Sequence, residues 1–152
     1  MIEQFSAPVT LLVIDDDVTT LDLLTRLAEK MGAVEIMTAK DGGSGLLIAC
    51  DKKPTLVVCD LGMYPVDGFS FLAGLRNSRD PVVASIPVVM FTAEGDTTSE
   101  IKANKLGSTA YFKKPFNPRG LADRLYAIAE GRLSELVEMA EKSGERPRSI
   151  AS

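Results

Sequence analysis

The sequence predicts an α/β fold, a doubly wound five-stranded parallel sheet with helices on both faces and an extended last helix. Short apolar runs alternate with segments whose apolar residues recur at helical spacing. The runs Leu11 to Ile14, Leu56 to Val58 and Val88 to Phe91 are apolar throughout, as strands buried on both faces must be. The first and third runs stop abruptly on acidic residues, at Asp15 and Asp60.

The elements follow in order. Val9 to Ile14 reads as the first strand. Val18 to Met31 reads as a helix with Leu21, Leu24, Leu27, Ala28 and Met31 on one face. Val34 to Ala39 is a weaker strand, and Gly43 to Cys50 carries a short apolar helical face. Thr55 to Cys59 is the third strand, ending at Asp60. Phe69 to Arg76 is helical through Phe69, Leu72 and Leu75. Ile86 to Phe91 is the fourth strand, with Pro87 near its start, where a missing N–H matters least. Thr98 to Leu106 is a more polar helix that stops at Gly107. Thr109 to Phe112 is a short fifth strand. Asn117-Pro118 reads as an N-cap followed by proline at the first helical position, opening a helix that runs to about Ser143. Five strands and five helices are thus expected. The tail, 145–152, is polar and expected to be loose.

Composition narrows the function. The 152 residues suffice for one domain. A formal charge of -4 favours solubility and argues against a nucleic-acid partner. The absence of histidine removes a Ser-His-Asp triad and any histidine-containing metal site. Cys50 and Cys59 do not make a disulfide framework, and both read as buried small hydrophobes. No transmembrane span or signal peptide is visible, so the expected compartment is the cytoplasm.

Ligands in doubly wound folds bind beyond the carboxyl ends of the strands. Asp15, Asp16 and Asp17 follow the first strand and Asp60 ends the third. With the strand order 2-1-3-4-5 these carboxylates converge. Converging like charges call for a cation, and Mg²⁺ suits an all-oxygen set. The other reading is a solvated acidic turn with Asp60 as a cap. Thr92 follows the fourth strand and can donate a hydroxyl hydrogen bond; Lys114 follows the fifth and can hold an anionic oxygen. A carboxylate can act as nucleophile and become an acyl phosphate, with metal, ammonium and hydroxyl neutralising charge. Taken singly, Thr92 reads as a turn hydroxyl and Lys114 as a surface lysine. No glycine-rich phosphate loop follows the first strand.

Together these residues resemble the response-regulator receiver family of two-component signalling, whose fold is flavodoxin-like. Leu11 to Asp17 is similar to its first-strand acidic motif, Val57 to Asp60 to its phosphoacceptor strand, and Met90 to Ala93 to its switch-hydroxyl segment. Tyr111-Phe112-Lys113-Lys114-Pro115-Phe116 is similar to its lysine motif. The resemblance runs from about Val9 to Glu130. It implies Asp60 as phosphoacceptor and Mg²⁺ on Asp16, Asp15, Asp60 and the Gly62 backbone carbonyl. It also implies a cis Lys114–Pro115 bond. Thr92 and Tyr111 would form a switch that repacks the face of helix four, strand five and helix five for a partner. Gly62 and Glu94 stand where the family controls attacking water. One departure is visible: the family's proline four residues after the phosphoacceptor is Tyr64 here, with Pro65 next.

The expected organisation is a lead-in over 1–8, a receiver domain over 9–130, an extension of the last helix over 131–144 and the tail over 145–152. Expected partners are a histidine kinase or histidine phosphotransfer protein, a downstream protein target and a second copy of the chain; neither nucleic acid nor membrane is expected. The protein is expected to phosphorylate itself once rather than turn over as an enzyme. Two other readings stand beside this one. Asp15 and Asp17 have the spacing of the paired aspartates in haloacid-dehalogenase-type phosphohydrolases, which leaves Asp60 and Lys114-Pro115 without a role. A receiver-fold scaffold that is never phosphorylated leaves the whole acidic set without one.

Overall fold

The computed structural model describes residues 2–93 and 97–144. Five strands, β1 (Thr10–Ile14), β2 (Glu35–Ala39), β3 (Leu56–Asp60), β4 (Val88–Thr92) and β5 (Ala110–Lys113), form one parallel sheet in the order β2-β1-β3-β4-β5. Six helices connect and follow them: α1 (Val18–Lys30), α2 (Gly42–Lys52), α3 (Gly68–Arg76), α4 (Pro81–Ala84), α5 (Thr97–Leu106) and α6 (Pro118–Lys142).

Alternate residues of each central strand face opposite sides of the sheet. Leu11, Val13, Val58, Val89 and Phe91 pack with Leu21, Leu24 and Leu27 of α1 and Leu121 and Leu125 of α6. Leu12, Ile14, Val57, Cys59, Val88 and Met90 pack on the other side with Ala49 of α2, Phe71, Leu72 and Leu75 of α3, Val83 of α4 and Ala103 of α5. The sheet thus has an apolar layer on each face, which is why its strands carry unbroken apolar runs. Residues before β1 join the first layer: Ile2 and Phe5 pack against it, and the Phe5 N–H donates to the Met31 carbonyl at 2.9 Å.

Most expected elements form within a residue or two of their expected bounds. The helix count differs. Five helices were expected and six occur among the described residues, because Asp80 caps a single extra turn, its carboxylate accepting from the Val82 N–H with Pro81 in the first turn. The polar helix expected at Thr98 is therefore α5, and the final helix is α6. Gly107, at φ 98°, closes α5 as expected. Asn117 Oδ1 accepts from the Arg119 and Gly120 amides and caps α6.

The cysteines also differ. Cys59 is buried, but Cys50 is exposed and not a core residue. In α2 the buried positions are Gly42, Gly45 and Ala49, and the residue after Ala49 turns about 100° away toward solvent.

α6 runs unbroken through Gly131, where an added Cβ would meet nothing within 4 Å. The buried residue of its extension is charged. Arg132, 2% exposed, donates from Nη1 to Ser85 Oγ at 2.8 Å and from Nη2 to the Val82 carbonyl at 2.7 Å, and it pairs with Glu135 at 2.6 Å. The extension thereby packs onto α4. The expected loose tail, 145–152, lies outside the described residues.

Candidate functional site

The strand order and register bring the candidate residues together. Ile14 pairs with Cys59, Asp60 with Phe91, and Thr92 with Lys113. Asp15 and Asp60, each next in chain after a member of the first pair, are therefore lateral neighbours at the carboxyl edge of the sheet. The Lys114 N–H donates to the Thr92 carbonyl at 2.8 Å, which anchors the β5 end beside the β4 end. The Lys114–Pro115 bond is cis, as the resemblance implies, and Tyr64–Pro65 is cis as well.

Carboxylate oxygens of Asp15, Asp16 and Asp60 lie within 4.8 Å of one another. Asp15 is 0% exposed and Asp60 7%, whereas Asp16 faces solvent. Asp17, at the rim, is spent differently: it is the N-cap of α1, its carboxylate accepting from the Thr19 N–H and the Thr20 hydroxyl. The acidic run therefore divides into a buried residue, Asp15, an exposed one whose carboxylate still reaches the cluster, Asp16, and a helix cap, Asp17.

Burial pushes the Asp15 carboxyl up from its ordinary 3.8 to about 6. The Asp17 N–H opposes this, the charge of Asp60 adds to it, and Lys114 opposes it again. Burial also raises the Asp60 carboxyl, against the pull of Lys114 and of the Gly62 amide, and Asp16 raises it further. Lys114 Nζ lies 3.2 Å from Asp15 Oδ2 and 3.7 Å from Asp60 Oδ1. It also stands 4.7 Å over the Phe91 ring, a cation–π contact that helps hold the ammonium beside the carboxylates. One ammonium against three carboxylates, two of them buried, leaves an excess of negative charge at the cluster. That donor set fits a hard divalent cation of the Mg²⁺ type, with oxygen ligands on one side and water on the other.

A cavity of about 330 Å³ opens beside the cluster, lined by Asp60, Leu61, Gly62, Phe69, Thr92, Ala93, Ser99 and Lys114. α3 fixes its inner wall. A Cβ at Gly68 would stand 2.4 Å from the Asp60 carbonyl oxygen, so only glycine lets the start of α3 approach the strand end so closely. The structure thus gathers Asp15, Asp16, Asp60, Gly62, Thr92 and Lys114 at one place. Tyr111 does not line the cavity. It is half-buried, pairs with Met90 in the sheet and packs against the apolar layer on the α3 and α5 side. Glu94 lies outside the described residues. Phe69 and Ser99 were not among the expected site residues. Ser99 comes from a helix, and its one signal is its spacing from Ala103 and Leu106 on α5.

Comparison with known proteins agrees with this geometry. The chain is 34% identical over 136 residues to a probable transcriptional regulator, ycf27, of Cyanophora paradoxa, covering 89% of this chain and 54% of that protein. The chain spans about half the length of the curated relatives of that type. It is 29% identical to protein PilH of Pseudomonas aeruginosa over 80% of this chain and 98% of that one. Among solved structures, the chemotaxis protein CheY4 of Vibrio cholerae superposes with a TM-score of 0.73 at 25% identity, covering 80% of this chain and 99% of that one. Residues 11–126 match the response regulator receiver domain, a span that takes in every residue of the acidic cluster and the cavity. The chain belongs to the response regulator receiver domain family of two-component signalling.

Proposed function

We propose that Asp60 accepts a phosphoryl group from a phosphohistidine on a histidine kinase or phosphotransfer protein, and that the resulting acyl phosphate switches binding of a downstream protein. The observation that carries this reading is the placement of Asp60 between two kinds of charge. Asp15 and Asp16 converge with it as a cation site, and Lys114 and Thr92 line the cavity it faces. Phosphoacceptance is also the general role of the receiver family, whose members bind Mg²⁺ at an acidic pocket.

In the transfer, a carboxylate oxygen of Asp60 forms the new O–P bond as the P–N bond to the donor imidazole breaks. Lys114 holds an anionic phosphoryl oxygen and the Thr92 hydroxyl donates to another. Asp15, Asp16, Asp60 and the Gly62 carbonyl would hold Mg²⁺, which when bound supplies neutralisation of the carboxylate and phosphoryl charge. Asp60 is almost enclosed, so the donor group must enter the cavity to reach it. Drawing Thr92 toward the phosphoryl group frees room behind it for Tyr111. In this reading the face formed by α5, β5 and α6 then repacks toward the target or a second copy of the chain.

Receiver domains are signalling proteins and not multiple-turnover enzymes. The phosphohydrolase reading is disfavoured because Asp17, its required second aspartate, is held as the α1 cap. The formal charge of -4 weighs against nucleic-acid contact by this chain and supports an output through protein contact. We place its work in the cytoplasm; among the described residues no helix is long and apolar enough to cross a membrane.

Intact-protein mass spectrometry after incubation with a small-molecule phosphodonor tests the reading. One phosphoryl adduct is expected in the parent with Mg²⁺, and none with chelator or in Asp60→Asn. An adduct that persists in Asp60→Asn would overturn the assignment.

A further inference from the structure

We infer that the groove between α4 and the extension of α6 is a docking site for the chain's own segment 145–152, with the Ile150 side chain as its anchor. The surface is separate from the phosphoacceptor cavity, and the inference does not depend on the proposed role of Asp60.

The groove follows from a mismatch of lengths. α4 is a single turn, whereas α6 runs on to Lys142. Arg132 ties the two together through the Ser85 hydroxyl and the Val82 carbonyl. Beyond that tie, Leu136, Met139, Ala140 and Ser143 recur at helical spacing on one side of α6. With Pro81 and Val82 they line a groove of about 520 Å³. Leu136, Met139 and Ala140 are only half-buried, so apolar surface stays open along this side.

The end of α6 aims the following chain at the groove. Gly144 has φ 79°, and its N–H donates to the Glu141 carbonyl at 3.1 Å. This is the glycine turn that reverses a chain at a helix end. In its full form the next amide returns to the carbonyl three residues before the cap, which here is Ala140. Ala140 is itself a lining residue, so the turn directs the chain back over the groove.

Reach, apolarity and charge then select the occupant. From Ser143 to Leu136 the groove follows about 10 Å of helix. From Gly144 to Ile150 the chain extends to about 20 Å, so Ile150 can reach any point along it. Ile150 is the one large apolar side chain of 145–152. The exposed charged groups of the extension are Glu135, Glu138, Glu141 and Lys142, which leaves it acidic. Segment 145–152 sets Arg146 and Arg148 against Glu145 and is basic. A second copy would bring one acidic extension against another, whereas the basic segment complements it. The segment is also tethered, so its effective concentration exceeds that of a free copy.

Trypsin tests the docking. It cuts after Arg148 but not after Arg146, which proline follows, and intact mass reads the loss of 149–152 from the folded protein. The parent should lose this fragment about fivefold more slowly than the free peptide 143–152 does, because cleavage tracks the undocked population. Ala140→Gln fills the groove and leaves the segment unchanged, and it should be cut near the peptide rate with the thermal midpoint of the parent. Ile150→Ser, measured against its own peptide, should lose the protection as well. A parent cut at the peptide rate overturns the inference, and so does protection that survives both substitutions. Protection that grows with protein concentration assigns the groove to a second copy and overturns it too.

Discussion

Lys114 Nζ stands 3.2 Å from Oδ2 of Asp15, a carboxylate with no exposure, and thus nearer to it than to Asp60. Even so, the Asp15 carboxyl is raised to about 6, because burial outweighs the ammonium. A carboxyl raised on folding binds its proton more tightly in the folded state. Its contribution favours folding below the unfolded value of 3.8 and is lost as pH rises to about 6.

Asp15→Asn in metal-free protein should therefore gain stability over the parent as pH rises from 4 to 6, with the difference levelling off above that. The full difference is on the order of 3 kcal/mol at most, shared with the coupled titration of Asp60. Asp17, Asp41 and Asp80 are held low by hydrogen bonds and lose stability toward acid, and the comparison with the variant cancels them. Urea unfolding at several pH values measures this. A difference that does not vary with pH would show that Asp15 is not raised.

Asp60→Asn removes a charge that is nearly enclosed and faces two other carboxylates. The metal-free variant should be more stable than the parent at neutral pH, by about 1 kcal/mol. Mg²⁺ should then stabilise the variant far less than the parent, because one ligand is gone. Thermal unfolding with excess Mg²⁺ and with chelator reads both effects, and a less stable metal-free variant would contradict the first.

Much of this was legible in the sequence, for identifiable reasons. Leu11 to Ile14 and Leu56 to Val58 are apolar on both faces because both faces are covered, so the strands and the parallel sheet could be read directly. Asp15, Asp60, Thr92 and Lys114 were legible because each stands where a strand ends. α4 was not, because four residues carry no periodicity; its signal was the pair Asp80-Pro81. Cys50 was misplaced because the apolar count of α2 does not tell which flank of the helix meets the sheet. Ser99 and Arg132 escaped because a serine in a polar helix and an arginine near a helix end both read as solvated.

Gly62 borders the cavity with open space around its α-carbon, and its φ is not in the left-handed region. Gly62→Asn should therefore fold as the parent does and place an amide where none exists. If water orientation limits dephosphorylation, the variant should lose its phosphoryl group several-fold faster, by about the factor of one hydrogen bond. Decay of the adduct measured by intact mass decides it, and an unchanged lifetime would exclude water orientation from this side of the cavity.

Arg132 ties the extension of α6 to the rest of the fold. Its guanidinium reaches the Val82 carbonyl, the Ser85 carbonyl and the Ser85 hydroxyl, and Glu135 supplies the counter-charge. Arg76 collects the neighbouring Ala84 and Ile86 carbonyls and the Gly107 carbonyl at the end of α5. The two arginines together donate to carbonyls at the end of α4 and on the approach to β4. Arg132→Met keeps most of the volume and removes the donors, and it should cost about 2 to 4 kcal/mol. Ending the chain after Glu130 removes the same donors together with the half-buried Leu133, Leu136 and Val137, so it should cost at least as much. Glu135→Gln leaves the backbone bonds in place and should cost less than either, since Glu135 is half exposed. Urea denaturation of the three variants gives the order. If truncation left stability at the parent value while Arg132→Met lowered it, the clamp would be compensating for an extension the fold does not otherwise need.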